Sequence, residues 1–421
     1  MPRDRPGAGG QRDAGAAASP PGPPGRHLRA SDLQAAARLA TQGTAGLVDL
    51  VEAVHARIAR LPLTGPASAR TGGITGLVYQ AVRGVSRGVG SSVDTLLGWL
   101  APAVQGPPQG LPSPEREAVI AALNGVLGDH LAATGSSLAT PMALRTAGQP
   151  LRLEREALAA ALPAASGRVL VLAHGLCMND LQWQRDGQDH GLLLAEGAGW
   201  TPVYLHYNTG RHIDANGQQL AALLAQALAA WPVPVTRLAL LGHSMGGLVA
   251  RRAIHAGLQA AQPWARQVTD LVCLGSPHHG APLERAGHGV DRLLEATPWS
   301  APFARLGRLR SAGITDLRHG RLLASDGARA TQRTPVPLPQ GVRCFAVAAT
   351  LSPGSDALKH RMGRRLLGDG LVPVASALGQ HPEARLDLGF APERQWLAHR
   401  SGHLDLLGSP AVAAQLLHWL Q

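Results

Sequence analysis

GHSMGG, at residues 242–247, is the most informative stretch of the sequence, because it lies between a segment with a strand pattern and a segment with a helix pattern. Residues 235–241 form a short apolar run typical of a buried strand, and residues 248–260 are alanine-rich and amphipathic, which predicts a helix. A serine on a sharp strand-to-helix turn needs glycine two positions away on each side. Ser244 is therefore the candidate nucleophile, and Gly242 and Gly246 are the glycines that permit the turn.

The chain has 421 residues, of which 45% are hydrophobic, so we expect a main domain with a smaller addition. Residues 1–30 are dominated by Gly, Pro, Ala and Arg, which predicts a disordered tail. Residues 31–134 carry apolar side chains at helical spacing, and one helix is expected to begin at Ser113-Pro114. Two interpretations of this N-terminal helical region stay open: it packs on the main domain, or it makes a peripheral contact with a membrane.

The formal net charge of +11 would ordinarily suggest a nucleic-acid partner. However, Lys359 is the only lysine, the arginines are mostly dispersed, and alanine, glycine and proline are also abundant, which indicates a compositional bias. We therefore expect no nucleic-acid partner. Cys177, Cys273 and Cys344 lie in or beside apolar runs and are expected to be buried free thiols. Because no signal peptide or membrane-spanning stretch is recognised, a cytoplasmic location is the default expectation.

From residue 140 onward the pattern alternates between strand and helix. Residues 142–145 and 151–153 predict a hairpin that opens a catalytic domain spanning 140–421. Further strands are predicted at 169–173, 202–207, 238–241, 268–274 and 342–349, with helical patterns such as 215–230 between them. This alternation predicts an α/β fold with a mostly parallel central sheet and helices on both faces. Functional groups in such a sheet collect beyond the carboxyl ends of the strands.

The loop after the first of these strands carries His174, Gly175 and Leu176. An acyl-transfer enzyme needs two backbone N–H groups aimed at the developing oxyanion, and a glycine lets the chain approach the substrate. We assign this role to the N–H groups of Leu176 and Met245, the latter being the residue after the nucleophile.

An acid and a base should follow the serine along the chain. Asp369 lies in the glycine-flanked loop GDGLVP, residues 368–373, and His403 immediately precedes an apolar C-terminal segment. We assign Asp369 as the acid and His403 as the base, with His399 as the alternative base. The order Ser244, Asp369, His403 is the one found in enzymes whose nucleophilic serine lies on such a strand-to-helix turn.

These residues together resemble an α/β-hydrolase of the lipase and esterase type, similar to bacterial triacylglycerol lipases and to inositol-deacylase-like serine esterases. The resemblance rests on five stretches, namely 174–176, 242–247, 275–282 (GSPHHGAP), 368–372 and 403–405. It implies an α/β-hydrolase fold over 140–421. In related lipases an aspartate at the position of Asp405 can bind calcium, but its companion carboxylate is not found here. His278 and His279 have no third ligand at a recognisable spacing, so we expect no metal and no cofactor.

Residues 283–338 are inserted before the strand that precedes Asp369. The insertion is expected to be a lid or cap, because it contains the apolar side chains of Leu293, Leu294, Trp299 and Phe303, although a plain surface excursion would give the same pattern.

The expected activity is hydrolysis of a small-molecule or lipid carboxylic ester through an acyl-enzyme on Ser244. An amidase, thioesterase or acyltransferase would use the same three residues, and the sequence does not separate these reactions. A noncatalytic membrane-associating protein built on a hydrolase scaffold is the alternative from another class.

Overall fold

A computed structural model describes residues 114–281, 311–326, 333–353 and 368–421. The tail predicted at 1–30 and the first part of the helical region predicted at 31–134 lie outside these residues. The strands are, in chain order, β1 (Ala143–Thr146), β2 (Gln149–Pro150), β3 (Arg168–Ala173), β4 (Thr201–His206), β5 (Arg237–His243), β6 (Val268–Leu274), β7 (Arg343–Thr350) and β8 (Gln395–His399). They form one sheet in the order β2-β1-β4-β3-β5-β6-β7-β8.

The sheet is mostly parallel, as predicted. Strands β3 to β8 pair in parallel, whereas β1 runs antiparallel to both β2 and β4. The helices are α1 (Pro114–Ala133), α2 (Arg155–Ala161), α3 (His190–Ala198), α4 (Ile213–Ala229), α5 (Met245–Gln259), α6 (Ala312–His319), α7 (Val374–Ala377) and α8 (Pro410–Leu420). The predicted alternation of strands and helices is therefore confirmed.

Helices cover both faces of the sheet because the central strands are apolar on both sides. Along β3, Val169 and Val171 belong to one buried cluster, which also contains side chains of α1, α4 and α5. Leu170 and Leu172 point the other way, into a second cluster with side chains of α3 and α8. Side chains alternate across a strand, so a continuous apolar run such as this one fills two hydrophobic layers at once.

Helix α1, expected from the Ser113-Pro114 pattern, packs into the main domain. Residues 121–128 are all buried, and Leu123, Val126 and Leu131 join the first hydrophobic cluster. A helix that is buried around its whole circumference is part of a core. The described part of the N-terminal region thus follows the packing interpretation. Whether residues before 114 contact a membrane stays a prediction.

The opening hairpin is tighter than predicted. Its second strand is β2, which begins before the predicted segment at 151–153, and only Ala147 and Gly148 form the turn. Both residues have positive φ, 47° and 73°. Two residues in the left-handed conformation give a turn whose twist matches that of antiparallel strands. The chain therefore reverses within two residues, whereas the predicted hairpin had a four-residue loop.

The insertion predicted at 283–338 is described only in part. Within that part, α6 packs against α1 and α4. Ser311 Oγ donates a hydrogen bond to the carbonyl of Gly125 (2.7 Å), and the N–H of Ala312 donates to Asp129 Oδ2 (2.8 Å). The four apolar residues that suggested a cap lie outside the described residues, and the cap stays a prediction.

Among the described helices, none is both long enough and apolar enough to cross a lipid bilayer. The three cysteines are buried and free, as the sequence predicted. Burial raises the pKa of each thiol to about 12, so all three stay protonated at neutral pH.

Candidate active site

Ser244 occupies the sharp turn between β5 and α5, with φ 54° and ψ −121°. Such a conformation is strained for a residue with a side chain and is retained where the surrounding structure enforces it. A Cβ atom on Gly242 would lie 2.2 Å from the backbone nitrogen of Gly247, and one on Gly246 would lie 2.0 Å from the carbonyl oxygen of Ala173. The backbone therefore approaches itself so closely that both positions require glycine, which is the geometry that the sequence pattern predicts.

Asp369 and His403 form a hydrogen-bonded pair, in which Asp369 Oδ2 lies 2.7 Å from His403 Nδ1. Both residues are 5% exposed. Burial alone would raise the pKa of Asp369, but the charge and hydrogen bond of His403 and the N–H groups of Val372 and Leu371 outweigh it and lower the pKa. The carboxylate is thus ionised at neutral pH and accepts the Nδ1–H of His403, so in the neutral form of the ring Nε2 is the proton acceptor.

The His403 ring lies next to the turn that carries Ser244. Its Nε2 is buried and has no hydrogen-bond partner among the described residues. A Cβ atom on Gly275 would lie 3.2 Å from His403 Nδ1, and Gly275 follows Leu274, whose carbonyl accepts the N–H of Ser244 at 2.8 Å. In the part of the chain that is described, no hydrogen bond joins Ser244 Oγ to His403. Catalytic hydrogen bonds are often long before substrate binds and tighten afterwards.

The alternative base, His399, is the last residue of the edge strand β8 and is exposed. No hydrogen bond among the described residues joins it to the Asp369 carboxylate, which is bonded to His403 instead. Of the two histidines that the sequence offered, the structure brings only His403 to the acid.

His243 is a site residue that the sequence reasoning missed. Its Nε2 lies 3.1 Å from the carbonyl oxygen of His403, and the two rings are 4.8 Å apart, centre to centre. Burial lowers the pKa of His243 to about 3, so the ring is neutral and Nε2–H donates this hydrogen bond. The contact fixes the backbone of His403 beside Ser244. The only signal in the sequence is that His243 directly precedes the candidate nucleophile.

The loop after β3 passes directly beside Ser244. A Cβ atom on Gly175 would lie 3.2 Å from Ser244 Cβ, so the lack of a side chain at this glycine permits a close approach. Neither the N–H of Leu176 nor that of Met245 donates to any acceptor within the described ranges. Two backbone donors near a nucleophile that are left without acceptors could stabilise an oxyanion.

His174 and Tyr207 hold this loop. His174 Nδ1 lies 3.0 Å from the carbonyl oxygen of Gly175, and the Tyr207 hydroxyl donates to the carbonyl of His174 (2.8 Å). The two rings stack with centroids 4.5 Å apart. Burial lowers the pKa of His174 to about 3, so the ring is neutral and supports the loop without adding charge.

A second buried carboxylate–histidine pair lies behind the same loop. Asp180 Oδ1 is 2.8 Å from His206 Nδ1 and 3.3 Å from Arg145 Nη1. Arg145 Nη1 also lies 3.0 Å from Glu117 Oε2, which in turn is 3.8 Å from His206 Nε2. This polar cluster of Glu117, Arg145, Asp180 and His206 ties α1 to β1, to β4 and to the segment that follows the loop.

The described residues hold no group of three or more His, Cys, Asp or Glu side chains arranged to bind a metal ion. Asp405, the position implicated in calcium binding by the resemblance, accepts the N–H of Gly402 at 2.8 Å. His278 Nδ1 is hydrogen-bonded to Arg251, and His279 Nε2 to a backbone carbonyl, so one ring nitrogen of each histidine is engaged elsewhere.

A protein-family model described as a PGAP1-like alpha/beta domain matches residues 164–335. That range contains strands β3 to β6, the loop at Gly175 and the turn at Ser244. With the sheet order and the strained serine turn, this match shows an α/β-hydrolase fold. Asp369 and His403 lie beyond the matched range. No curated protein matches the chain.

Several solved structures are similar to the chain. A lipase-esterase related protein from Clostridium acetobutylicum is 14% identical and has a TM-score of 0.35, with 61% of this chain and 95% of that chain covered. EstA from Clostridium botulinum is 14% identical, with a TM-score of 0.37 and coverage of 61% and 86%. The RedJ thioesterase of prodiginine biosynthesis in Streptomyces coelicolor is 19% identical, with a TM-score of 0.33 and coverage of 61% and 91%.

Proposed function

We propose that this protein is a serine hydrolase that cleaves carboxylic esters through an acyl-enzyme on Ser244. The observation that carries the proposal is the buried 2.7 Å hydrogen bond between Asp369 and His403, because it leaves the unpartnered Nε2 of His403 beside the strained serine turn. A nucleophile, a base and an orienting acid in this arrangement are what acyl transfer requires.

In the first half-reaction, His403 Nε2 takes the proton of Ser244 Oγ as the oxygen attacks the ester carbonyl carbon. Asp369 holds the proton on Nδ1 and stabilises the imidazolium that forms. The tetrahedral intermediate then expels the alcohol, to which His403 returns the proton. In the second half-reaction a water molecule gives its proton to His403 and attacks the acyl carbon, which releases the acid and restores Ser244.

We assign oxyanion stabilisation to the backbone N–H groups of Leu176 and Met245. The close approach of Gly175 to Ser244 and the lack of described acceptors for both N–H groups support this role. Loss of one such donor typically costs about 3 kcal/mol of transition-state stabilisation. Gly242 and Gly246 act indirectly, because they allow the turn that places Met245 and Ser244.

Steady-state hydrolysis of p-nitrophenyl esters of increasing acyl length tests the proposal and measures the chain-length preference. Ser244→Ala should reduce kcat to near the background rate on every ester, because the attacking oxygen is gone. Ser166→Ala is a matched control, because Ser166 precedes β3 and so lies at the opposite, amino-terminal edge of the sheet. Its kcat should equal that of the wild type.

The proposal fails if the wild type hydrolyses none of the esters, or if Ser244→Ala retains the wild-type rate. Running an anilide and a thioester of the same acyl group in parallel compares the related reactions that the same three residues could perform. A wild-type kcat/KM that is highest on the ester supports ester hydrolysis, whereas a preference for either of the others replaces it.

A further inference from the structure

Two consecutive arginines on α5 have unequal partners. Arg251 and Arg252 are 4% and 5% exposed. Arg252 Nε lies 2.6 Å from Asp214 Oδ1, so its charge is neutralised by a carboxylate. Arg251 Nη1 lies 2.9 Å from His278 Nδ1, and no carboxylate among the described residues forms an ion pair with Arg251.

The guanidinium of Arg251 is therefore a buried cation without a counter-charge in the described structure. Burial lowers the pKa of Arg251 only to about 10, so it stays positive at neutral pH. Burial also holds the pKa of His278 well below its usual range, which makes the ring a neutral acceptor at Nδ1. A buried charge of this kind is strongly destabilising unless an opposite charge accompanies it.

Arg251 and His278 line a cavity of about 80 Å³ together with Arg333 and Arg385. That volume is several times what one water molecule needs. Arg385 is paired with Glu383 at 2.9 Å. The cavity wall thus carries two guanidinium groups, those of Arg251 and Arg333, for which the described residues provide no ion pair within 4 Å.

The unpartnered polar atoms of this wall are all donors. They are the Nε atoms of Arg251 and Arg333 and Nε2 of His278, which must carry the ring proton because Nδ1 accepts from Arg251. Two acidic residues also line the cavity. Asp326 accepts the N–H of Thr334 and its charge acts on Arg333, whereas Asp387 accepts backbone N–H groups of its own loop, so neither forms an ion pair with Arg251. A ligand that offers only acceptors and negative charge would complement this wall.

We propose that the cavity is a binding site for a small oxyanion of the phosphate class, with Arg251 as its principal counter-charge. The site is separate from the candidate active site, since Ser244, Asp369 and His403 do not line it. A bound anion would link α5, the helix behind the nucleophile, to the loop that follows β6 and to the segment before β7. The proposal does not depend on the chemistry at Ser244.

Thermal unfolding of the full chain in sodium phosphate and in sodium chloride of equal ionic strength tests the site. The wild-type Tm should rise with phosphate concentration by mass action and should not rise with chloride. Arg251→Met should abolish the phosphate-dependent shift. In chloride its Tm should equal or exceed that of the wild type, because an uncompensated buried charge has been replaced by an apolar chain of similar length.

Arg252→Met is the matched control. It should keep the phosphate-dependent shift but lower the Tm in both salts, because it leaves Asp214 buried without its partner. If Arg251→Met does not fold, Arg333→Gln replaces it, with an expected loss of at least tenfold in phosphate affinity by titration calorimetry. Equal shifts in phosphate and chloride, or a phosphate shift that survives in Arg251→Met and Arg333→Gln, would mean an adventitious ion only and would overturn the proposal.

Discussion

Two aspartate–histidine pairs are buried among the residues that the structure describes, and they have nearly the same geometry. Asp369 Oδ2 lies 2.7 Å from His403 Nδ1, and Asp180 Oδ1 lies 2.8 Å from His206 Nδ1. The difference is in the second ring nitrogen. His206 Nε2 faces Glu117 at 3.8 Å, whereas His403 Nε2 has no partner among the described residues.

A carboxylate–histidine hydrogen bond therefore does not by itself identify a general base. The Asp180 pair is enclosed in a polar cluster with Arg145 and Glu117, so its hydrogen-bonding capacity is used to hold α1 against the sheet. The Asp369 pair leaves one basic nitrogen free beside a strained serine turn. The free nitrogen and the neighbouring nucleophile, rather than the pair, distinguish a catalytic arrangement from a structural one.

The two pairs should differ most in the effect of replacing the histidine. His403→Ala should lower kcat on an ester by about 10⁶-fold, since loss of the base in a triad is nearly as severe as loss of the nucleophile. His206→Ala should leave kcat of the folded protein within a few-fold of the wild type but lower the free energy of unfolding by about 1–3 kcal/mol, because it leaves buried polar groups unpaired. Steady-state kinetics and urea unfolding measure both effects.

His399→Ala serves as the control for the loss of a nearby histidine and should match the wild type in both measurements. An intact rate in His403→Ala, or a loss of rate in His399→Ala, would reverse the assignment of the base.

Replacing the aspartate should likewise affect the rate in one pair and the stability in the other. Asp369→Asn should lower kcat by about 10⁴-fold with little change in KM, because the amide no longer stabilises the imidazolium or fixes its tautomer. Asp180→Asn should act on stability, with a loss of about 3 kcal/mol, since Arg145 loses one of its two buried carboxylates. Comparable effects of both variants on kcat would contradict a purely structural role for the Asp180 pair.

A fall in pH should reveal a second kind of buried histidine, in which a ring nitrogen is bonded to a backbone carbonyl instead of a carboxylate. The pKa values of His174 and His243 are lowered by burial from 6.5 to about 3. Their contribution to the free energy of unfolding is complete above pH 6.5 and is lost as the pH falls from 6.5 towards 3. The reason is that these histidines bind a proton more readily in the unfolded chain than in the folded protein. Each residue adds a slope of up to about 1.4 kcal/mol per pH unit.

Urea unfolding between pH 7 and pH 4 measures this slope. His174→Gln should make the slope shallower, whereas His399→Gln, at an exposed position, should leave it unchanged. An unchanged slope in His174→Gln would show that this residue is not the source.

The smallest effect concerns the contact between α1 and the loop at Gly175. A Cβ atom on Gly125 would lie 2.1 Å from Cys177 Sγ and 3.0 Å from its Cα. Gly125→Ala should therefore cost about 1–3 kcal/mol and reduce kcat several-fold, because it displaces the loop that carries the N–H of Leu176.

Gly197→Ala is the matched control. It is also a helical glycine with a close contact, but its neighbour is the flexible end of the Leu417 side chain on α8. It should leave kcat unchanged. A Gly125→Ala variant that is less stable but fully active would indicate that α1 supports the fold without positioning the loop.

The sequence predicted the architecture well where the residues themselves carry the signal. Apolar runs such as that at Val169 continue on both faces of a strand, and glycines mark the turn at Ser244, so both were recognisable locally. The edge strand β8 was missed because QWLAH, residues 395–399, is short and half-buried and has no continuous apolar run. Its position depends on pairing with β7, which no local pattern reveals.

The candidate site was predictable in part for the same reason. Ser244, Asp369 and His403 lie in recognisable loops. The sequence favoured His403 over His399, and the hydrogen bond between His403 and Asp369 supports that choice. The polar cluster at Asp180 had no local signature at all, and neither did Arg251, which forms no ion pair with the described residues. Their chemistry arises from segments that are far apart in the chain and meet only in three dimensions.

Covalent labelling is the most direct test of Ser244 as a nucleophile activated by His403. The folded protein is incubated with a fluorophosphonate, and the adduct is located by peptide mass spectrometry in the wild type, in Ser244→Ala and in His403→Ala. We expect one adduct, on Ser244, which disappears in Ser244→Ala and forms far more slowly in His403→Ala, because the base is needed to activate the hydroxyl. Labelling that persists in Ser244→Ala, or that proceeds at the wild-type rate without His403, would contradict the assignment of Ser244 as the nucleophile and His403 as the base.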